Sequence, residues 1–458
     1  MSLTAIAFLV VYCAALVGAF VVNPLYGLGA YFWVFYNHPP DRWWGQVLPD
    51  LRWSYTAGIV MLIAVLGKPR LPSRPAWLNN QAAWLLIAYT LWMWLQILFA
   101  VDPTAHLEGC ILFTKYIVLF FVIYQLAEDE KSYTLIMWGH IIGCFIFGWI
   151  AYRMEVGGRL EQIGGPGVDD ANTLAMHLTT GIAIAGFLFL SETKKVRIAL
   201  ACLLPFILNG VIETQSRGAL VGIVAAAPIG LFLCPRGHRR VAYGAVGLGA
   251  VLLLILANDQ FWGRMQTIQL TEESQMEASA ASRVALIRYG WAMFKDYPLG
   301  AGHRGHEILS PSYMPEGLLT QGRRAAHNTF MQILVEQGII GALLFVLLNV
   351  WVIRQLWRLK QMDARGLSLR LGLYRAGIGS ALMAAYAAGM FIGTLKAEVH
   401  IWLLALLAAL VTICEKSLEV GHEDVELEQR AVDSLSAQKS PNRFALRLQS
   451  RQIRKPTA

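Results

Sequence analysis

Charged residues are scarce in this chain. Of its 458 residues, 15% are charged and 56% are hydrophobic, and the mean hydropathy is +0.49. A soluble globular protein carries roughly 25% charged residues, which cover its water-facing surface. The shortage therefore excludes a soluble enzyme, a disordered chain and a small disulfide scaffold. An integral membrane protein with many helices remains.

Cysteine pairs and metal-binding patterns are also lacking. The six cysteines fall in or beside apolar runs without a CxxC spacing, as is typical of small apolar residues. His303 and His306, in GHRGHE, have no further ligand at a fixed spacing, so we expect no metal and no cofactor. The net charge of +8 is expected from basic loops of a membrane protein, and no nucleic-acid motif accompanies it.

Long apolar runs, by contrast, are abundant. A helix needs about 20 mostly apolar residues to cross the hydrocarbon core of a bilayer. The aromatic segment 24–36, within 24–53, is predicted to be a half-span or an interfacial segment. Twelve candidate spans lie near 4–22, 54–67, 82–101, 107–127, 132–152, 171–191, 196–213, 218–233, 240–257, 329–352, 372–394 and 399–414.

Basic residues orient these spans. If the N terminus is inside, the inner loops and the tail hold 24 of the 38 Lys and Arg residues. The outer side then holds 13, most of them in one long loop, which the positive-inside rule discounts. The prediction is a chain with both termini cytoplasmic. It has nine spans in 1–257, an outer loop over 258–326, three spans in 327–414 and a basic tail over 415–458.

Ionisable groups from three distant segments are predicted to meet at the outer surface. Arg217 lies in TQSRGALVG at the start of the eighth span, Arg288 lies on an amphipathic loop helix over Ser282–Tyr297, and His327 opens the tenth span. Guanidinium groups bind phosphate oxygens through paired hydrogen bonds. A histidine at a helix N-terminus is favoured in its neutral form, which suits a general base. We therefore hypothesise that the two arginines bind a lipid-linked diphosphate and that the histidine beside them is a base for a sugar hydroxyl.

Each residue also has a simpler interpretation. An arginine at a helix end can extend to lipid headgroups, and a histidine there can act as a cap. Asn172, with Asp169 and Asp170 in GPGVDDANTLA, is expected to cap the sixth span or to line the cavity. Lys115 and Glu336, both within spans, are expected to satisfy each other or a backbone carbonyl rather than to bind substrate.

The order of three motifs resembles a known family. SRGA at a span boundary, RYGWAMFKDYPLGAGH in the outer loop and HNTFMQILVEQGIIG at the next span look like the O-antigen ligase/polymerase superfamily, and most like the O-antigen ligases (WaaL). The segment NPLYGLGAYFWVFYNHPP also resembles exosortase-associated O-glycosylation ligases. The resemblance therefore leaves the acceptor open.

The resemblance implies a GT-C-type bundle in the bacterial inner membrane with its active site facing the periplasm. It implies transfer of a glycan from undecaprenyl diphosphate to a sugar of lipid A–core, in lipopolysaccharide biosynthesis, without a metal and with inversion. Arg217 and Arg288 match the diphosphate-binding arginines of the family, and His327 matches its catalytic histidine. Arg283, Arg323 and Arg324 lie beside these motifs and are given a supporting role only.

Two alternatives share parts of this pattern. An O-antigen polymerase, or another transferase of lipid-linked oligosaccharides, would have the same general plan. A twelve-span transporter or flippase should instead carry charges near the membrane midplane and broken helices in matching halves. In this sequence the candidate functional charges are predicted to lie at one outer face, so a transporter is the less favoured interpretation.

Overall fold

The computed structural model describes residues 1–68, 75–154, 159–266 (without 162, 164, 166 and 169), 278–394 and 397–439; the side chains of 278–284 and 421–439 lie outside this description. Its helices are α1 (Leu3–Val21), α2 (Leu25–Asn37), α3 (Trp53–Gly67), α4 (Gln81–Gln96), α5 (Pro103–Leu126), α6 (Glu130–Arg153), α7 (Ala171–Ser191), α8 (Lys194–Glu213), α9 (Arg217–Leu233), α10 (Arg239–Leu256), α11 (Asp259–Gln266), α12 (Ala278–Asp296), α13 (Gly305–Tyr313), α14 (Thr329–Gln361), α15 (Leu369–Ala388) and α16 (Glu398–Lys439). No β-strand occurs among the described residues, and the predicted all-α class is confirmed.

All twelve predicted spans fall on helices. Within the described residues, eight helices are long and apolar enough to cross a membrane: α1, α5, α6, α7, α8, α10, α14 and the first part of α16. Two shorter apolar helices, α3 and α9, accompany them. A multi-pass membrane protein is therefore supported, while the count of twelve stays a prediction.

Short polar side chains begin several of these helices. Asp102 accepts hydrogen bonds from the backbone N–H groups of Thr104 and Ala105 at the start of α5, and Asp129 forms a capping box with Ser132 at the start of α6. The first N–H groups of a helix have no partner within the helix, so a side-chain oxygen there is stabilising by about 1 kcal/mol. The polar residues between apolar runs thus fix where each helix begins.

The first two helices form an antiparallel hairpin within the bundle. The ring of Phe8, in the first half of α1, contacts Trp33 near the end of α2 and Trp53 at the start of α3. At the opposite end, a side-chain carbon added to Gly18 would lie 3.1 Å from the ring of Tyr26, near the start of α2. The segment 24–36 thus lies in a helix, α2, that packs on α1 and on the start of α3. That it is a half-span or an interfacial segment stays a prediction.

The contacts of the helix ends show which of them lie at one end of the bundle. The chain leaves α3 at Lys68, whose ammonium pairs with Glu128 at 2.8 Å, in the turn between α5 and α6. At this same face α16 carries Glu415, which pairs with Arg358 near the end of α14. The start of α1 lies beside the start of α3, at the other end of the bundle. That both termini are cytoplasmic stays a prediction, to which this arrangement offers an alternative.

A break in α14 receives the outer segment between α12 and α13. Gly338 has φ +65° and ψ −165°, which interrupts the helix. Backbone N–H groups of Ala301 and Gly302 donate to the carbonyls of Val335 and Glu336 at 2.8 and 2.9 Å. The N–H of Ile339 donates to the carbonyl of Pro298 at 2.9 Å. The carbonyls and N–H groups freed by the break are satisfied in this way, and the outer segment is fixed to the bundle.

Helix α15 lies at the centre of the bundle, against α7 and α9. Small residues allow the close approach: a side-chain carbon added to Gly222 of α9 would lie 2.9 Å from the carbonyl oxygen of Ala384. A carbon added to Gly377 would lie 3.3 Å from Cβ of Phe187. Close backbone approach through small residues is the usual way that helices associate in membranes. The outer end of α15, and the turn that follows it, are thereby held beside the start of α9.

Candidate functional site

Arg217 is the first residue of α9, and a polar network holds this helix end. Ser216 is the N-cap, and its hydroxyl accepts from the N–H of Ala219 at 3.3 Å and donates to Oδ1 of Asn172 at 2.9 Å. The side chain of Arg217 is only 7% exposed. Its charge adds to the positive potential at a helix N-terminus, so this corner of the outer face favours an anion.

Arg159 completes this network, and the sequence analysis did not single it out. Its Nη2 donates to Oδ1 of Asn172 at 2.6 Å, its Nε donates to the carbonyl of Thr214 at 2.9 Å, and its Nη1 lies 3.2 Å from Glu161. The guanidinium therefore ties the segment before α7 to the junction of α8 and α9. Only a contact across 55 residues reveals this role, because nothing around Arg159 in the sequence marks it.

The predicted alternatives for the GPGVDDANTLA motif are resolved by separate residues. Asp170 is the N-cap of α7 and accepts from the N–H groups of Asn172 and Thr173. The side chain of Asn172 instead accepts from Arg159 and Ser216. Asp170 thus has the predicted capping role, Asn172 belongs to the polar network at the start of α9, and Asp169 lies outside the described residues.

His327 directly precedes α14 and is half-buried. Its backbone has φ +47°, in the left-handed region, which is uncommon for any residue but glycine. The next residue, Asn328, caps the helix by accepting from the N–H of Met331 at 2.9 Å and donates from Nδ2 to the carbonyl of Met390 at 3.0 Å. Residues held in sparsely populated backbone regions cluster at functional sites, where the surrounding structure enforces them. The hydrogen bonds of Asn328 hold the backbone conformation of His327 on the side of α14.

The turn over 389–394, after α15, lies between His327 and Arg217. On the side of His327, the N–H of Thr329 donates to the carbonyl of Gly389 at 2.8 Å. On the side of Arg217, a side-chain carbon added to Gly218 would lie 3.3 Å from Cβ of Phe391. The structure thus brings the starts of α9 and α14, which are more than 100 residues apart, to two sides of one short turn.

Arg288 lies on α12, two residues before Gly290. This helix packs on the first turns of α14, where a side-chain carbon added to Gly290 would lie 2.6 Å from Cγ of Met331. The side chain of Arg288 is exposed. The predicted amphipathic helix over Ser282–Tyr297 therefore exists as part of α12, and it is packed against the bundle as well as facing outward. The side chain of Arg283, on the same helix, lies outside the described residues.

Arg324 and the two histidines of GHRGHE have structural partners in the outer segment. Nη1 of Arg324 donates to the hydroxyl of Thr320 at 2.5 Å, and its carbonyl accepts from Nδ1 of His306 at 3.2 Å. His303 instead has its Nδ1 3.7 Å from Oε2 of Glu336. The two histidines face different neighbours, so together they do not form one ligand cluster.

Lys115 and Glu336 do not pair with each other. Glu336 lies at the break of α14, where it faces His303 and accepts from Nε2 of Gln332 at 3.2 Å. Lys115 lies on α5 and lines a separate cavity together with Glu398. The expectation that the two charges satisfy each other is therefore wrong, since α14 presents Glu336 toward the outer segment.

The fold defines a class: a multi-pass helical membrane protein, in which the starts of α9 and α14 contact one short turn. Residues 198–346 match the family model described as O-antigen ligase. The match runs from α8 into α14 and contains Arg217, Arg288 and His327. The resemblance seen in the sequence is thus confirmed over this part of the chain, and the match supports a glycosyl-transferring enzyme of the ligase/polymerase kind. No curated protein matches the chain.

Proposed function

We propose that the protein is an O-antigen ligase that transfers a glycan from undecaprenyl diphosphate to a sugar of lipid A–core. The observation that carries the proposal is the position of Arg217 and His327 on two sides of the turn over 389–394, within the part of the chain that matches the family. An anion-binding corner and a candidate base at one surface are what transfer from a lipid diphosphate requires.

The arginines act on the donor. Arg217 binds the diphosphate at the start of α9, and Arg288 binds it from α12 across the surface. Their charges stabilise the diphosphate as it leaves, because negative charge develops on it when the sugar–oxygen bond breaks. Asn172, Ser216 and Arg159 keep the start of α9 in place. Arg283 and Arg324 retain the supporting role that their position beside the motifs suggests.

His327 acts on the acceptor. It takes the proton of an acceptor hydroxyl while that oxygen forms a bond to the anomeric carbon of the donor. The bond from this carbon to the diphosphate breaks, and undecaprenyl diphosphate leaves with the electron pair. A single displacement of this kind inverts the anomeric carbon, and the residues named here perform it without a metal.

The orientation follows from the charges at the opposite face. Lys194, Lys195, Arg236 and Arg239 lie at the ends of helices away from the site. By the positive-inside rule this basic face is cytoplasmic, so the site faces the periplasm of the inner membrane. The C-terminal tail is then cytoplasmic, and the N terminus is periplasmic.

Substitution of His327 by alanine tests the mechanism. In a transfer assay with lipid-linked glycan and lipid A–core, His327→Ala should lower kcat by about 10²- to 10⁴-fold, which is what a general base contributes. Arg217→Lys should also impair transfer, because an ammonium cannot form the paired hydrogen bonds of a guanidinium.

Matched controls lie at the opposite face. His238 precedes α10 and Arg236 is exposed beside it, so His238→Ala and Arg236→Lys should leave transfer unchanged. All four variants should insert and purify as the wild type does. Full activity of His327→Ala would remove this residue from the mechanism.

Deletion of the gene separates a ligase from a polymerase. Loss of a ligase leaves long glycan chains on undecaprenyl diphosphate and lipid A–core without glycan. Loss of a polymerase leaves lipid A–core that carries single repeats, and this result would replace the ligase by the polymerase as the assigned function.

A further inference from the structure

The cavity lined by Lys115 and Glu398 lies between α2, α3 and α5, apart from Arg217 and Arg288. It measures about 620 Å³, within the range of small-molecule sites. Its upper wall is the segment that joins α2 to α3, which contributes Asp50 and Arg52. Its lower wall is apolar and includes Leu62 and Leu119. A polar end at the outer face and an apolar end deeper in the bundle fit an amphipathic ligand.

Two charged side chains line this cavity at the depth of the membrane helices. Lys115 lies in the middle of α5, and it makes no ion pair within 4 Å in the part of the chain that the structure describes. Glu398, the first residue of α16, accepts a hydrogen bond from the hydroxyl of Tyr31 at 2.7 Å. An ionisable group within a membrane span is costly and marks a functional site by default. A cation and a carboxylate in one cavity suit a ligand with both phosphate and hydroxyl groups.

The aromatic side chains and the flank of the cavity narrow the ligand class. Trp53 and Tyr116 contribute aromatic side chains to the lining, and Glu398 contributes a carboxylate, a group that can accept hydrogen bonds from sugar hydroxyls. Tyr55 and Ile59 of α3 are 58% and 40% exposed on the side of the bundle, where lipid chains would lie. The lining therefore offers partners for phosphate, sugar and hydrocarbon together.

The cavity is connected to His327 through a short stretch of chain. The hydroxyl of Thr329, two residues after His327, lies 2.8 Å from the hydroxyl of Thr394. The carbonyl of Thr394 accepts from the N–H of Ala397, and Glu398 follows directly. His327, the candidate base, thus lies between the proposed diphosphate site and this cavity.

We infer that the cavity is the binding site for the acceptor, a phosphorylated glycolipid, with Lys115 binding its phosphate and Glu398 its sugar hydroxyls. This inference rests on the proposed ligase function for the identity of the acceptor. Two substrates that react at one base must approach it from different sides, and the turn over 389–394 together with the start of α16 separates the two sides here.

The test measures acceptor and donor separately. In the transfer assay, Lys115→Met and Glu398→Gln should each raise KM for purified lipid A–core by about tenfold, the loss of one charged contact of roughly 1.4 kcal/mol. KM for the lipid-linked donor and kcat should stay within about twofold, which a general loss of folding would not produce. Lys115→Arg should restore much of the acceptor affinity, and Lys131→Met, an exposed lysine of the opposite face, is the matched control.

A direct measurement of acceptor binding distinguishes a failure of this inference from a failure of the proposed function. Binding of lipid A–core to the detergent-solubilised protein is measured without donor, with vesicle phospholipid as the competitor. Binding that depends on Lys115 in a protein without transferase activity would refute the ligase and keep the cavity as a glycolipid site. Transfer and acceptor binding that are unaffected by either substitution would refute the cavity as the acceptor site. Equal competition by phospholipid would refute it as well, because the cavity would then hold bulk lipid.

Discussion

Arg375 is fully buried in α15 and should be the most costly arginine to remove. Its guanidinium forms two hydrogen bonds with the carboxylate of Asp363, at 2.7 and 2.9 Å. It also donates to the carbonyls of Leu359 at 2.8 Å and Leu233 at 3.0 Å. Leu233 ends α9, so its carbonyl has no partner within the helix. One side chain thus joins α9, α14 and α15.

The expected cost of Arg375→Met follows from these contacts. The substitution keeps an apolar stem of similar length but leaves a carboxylate and two carbonyls without their donor. Breaking a buried ion pair by removing one partner destabilises by about 3–5 kcal/mol. Asp363 is 32% exposed and regains some water, so a value near 3 kcal/mol is expected.

Arg358→Met is the matched comparison. Arg358 pairs with Glu415 at the same face, but the two side chains are 56% and 31% exposed. An exposed pair contributes about 0–1 kcal/mol. The assay is unfolding of the purified protein in mild detergent, followed by intrinsic tryptophan fluorescence. Equal destabilisation by the two substitutions would refute the argument that burial, rather than the presence of an ion pair, sets the cost.

Two further predictions concern the outer segment. Burial lowers the pKa of His306 from 6.5 to about 4, so the unfolded chain binds a proton between these values while the folded protein does not. Stability should therefore fall as the pH is lowered from about 6.5 to about 4, and His306→Gln should weaken that dependence in denaturation measurements across this range; an unchanged pH profile would exclude His306 as its source. Gly338→Ala should prevent normal purification, because an added Cβ would lie 2.2 Å from the carbonyl carbon of Leu299 at a backbone conformation that costs several kcal/mol for alanine. Gly29→Ala, where nothing lies within 4 Å, should purify normally, and recovery of folded Gly338→Ala in equal yield would contradict this account of the break.

The orientation of the N-terminal hairpin could not be predicted from charge. The first charged side chain of the chain is Asp41, so the positive-inside rule has no basic residue to act on in α1, in α2 or in the turn between them. The short, aromatic α2 also falls below the usual length of a span. The contacts of Phe8 and Gly18 show that α1 and α2 are antiparallel.

The break in α14 could not be predicted from the local sequence either. The sequence HNTFMQILVEQGIIG has the apolar content of a continuous span, and a single glycine within it is tolerated in membrane helices. The conformation of Gly338 is set by the segment Pro298–Gly302, which inserts there and satisfies the freed backbone groups. Since that segment is distant in the chain, no local pattern around Gly338 indicates the insertion.

The sequence by itself determined the membrane class, the all-helical architecture and the order of motifs that matches the O-antigen ligase family. These features follow from composition and from local runs, which need no knowledge of contacts. Tertiary structure alone decided that α1 and α2 form an antiparallel hairpin, that Arg159 and Ser216 hold Asn172, and that Lys115 shares a cavity with Glu398 rather than pairing with Glu336. Helices of similar apolar composition can pack in many orders, and only their side-chain fit selects one.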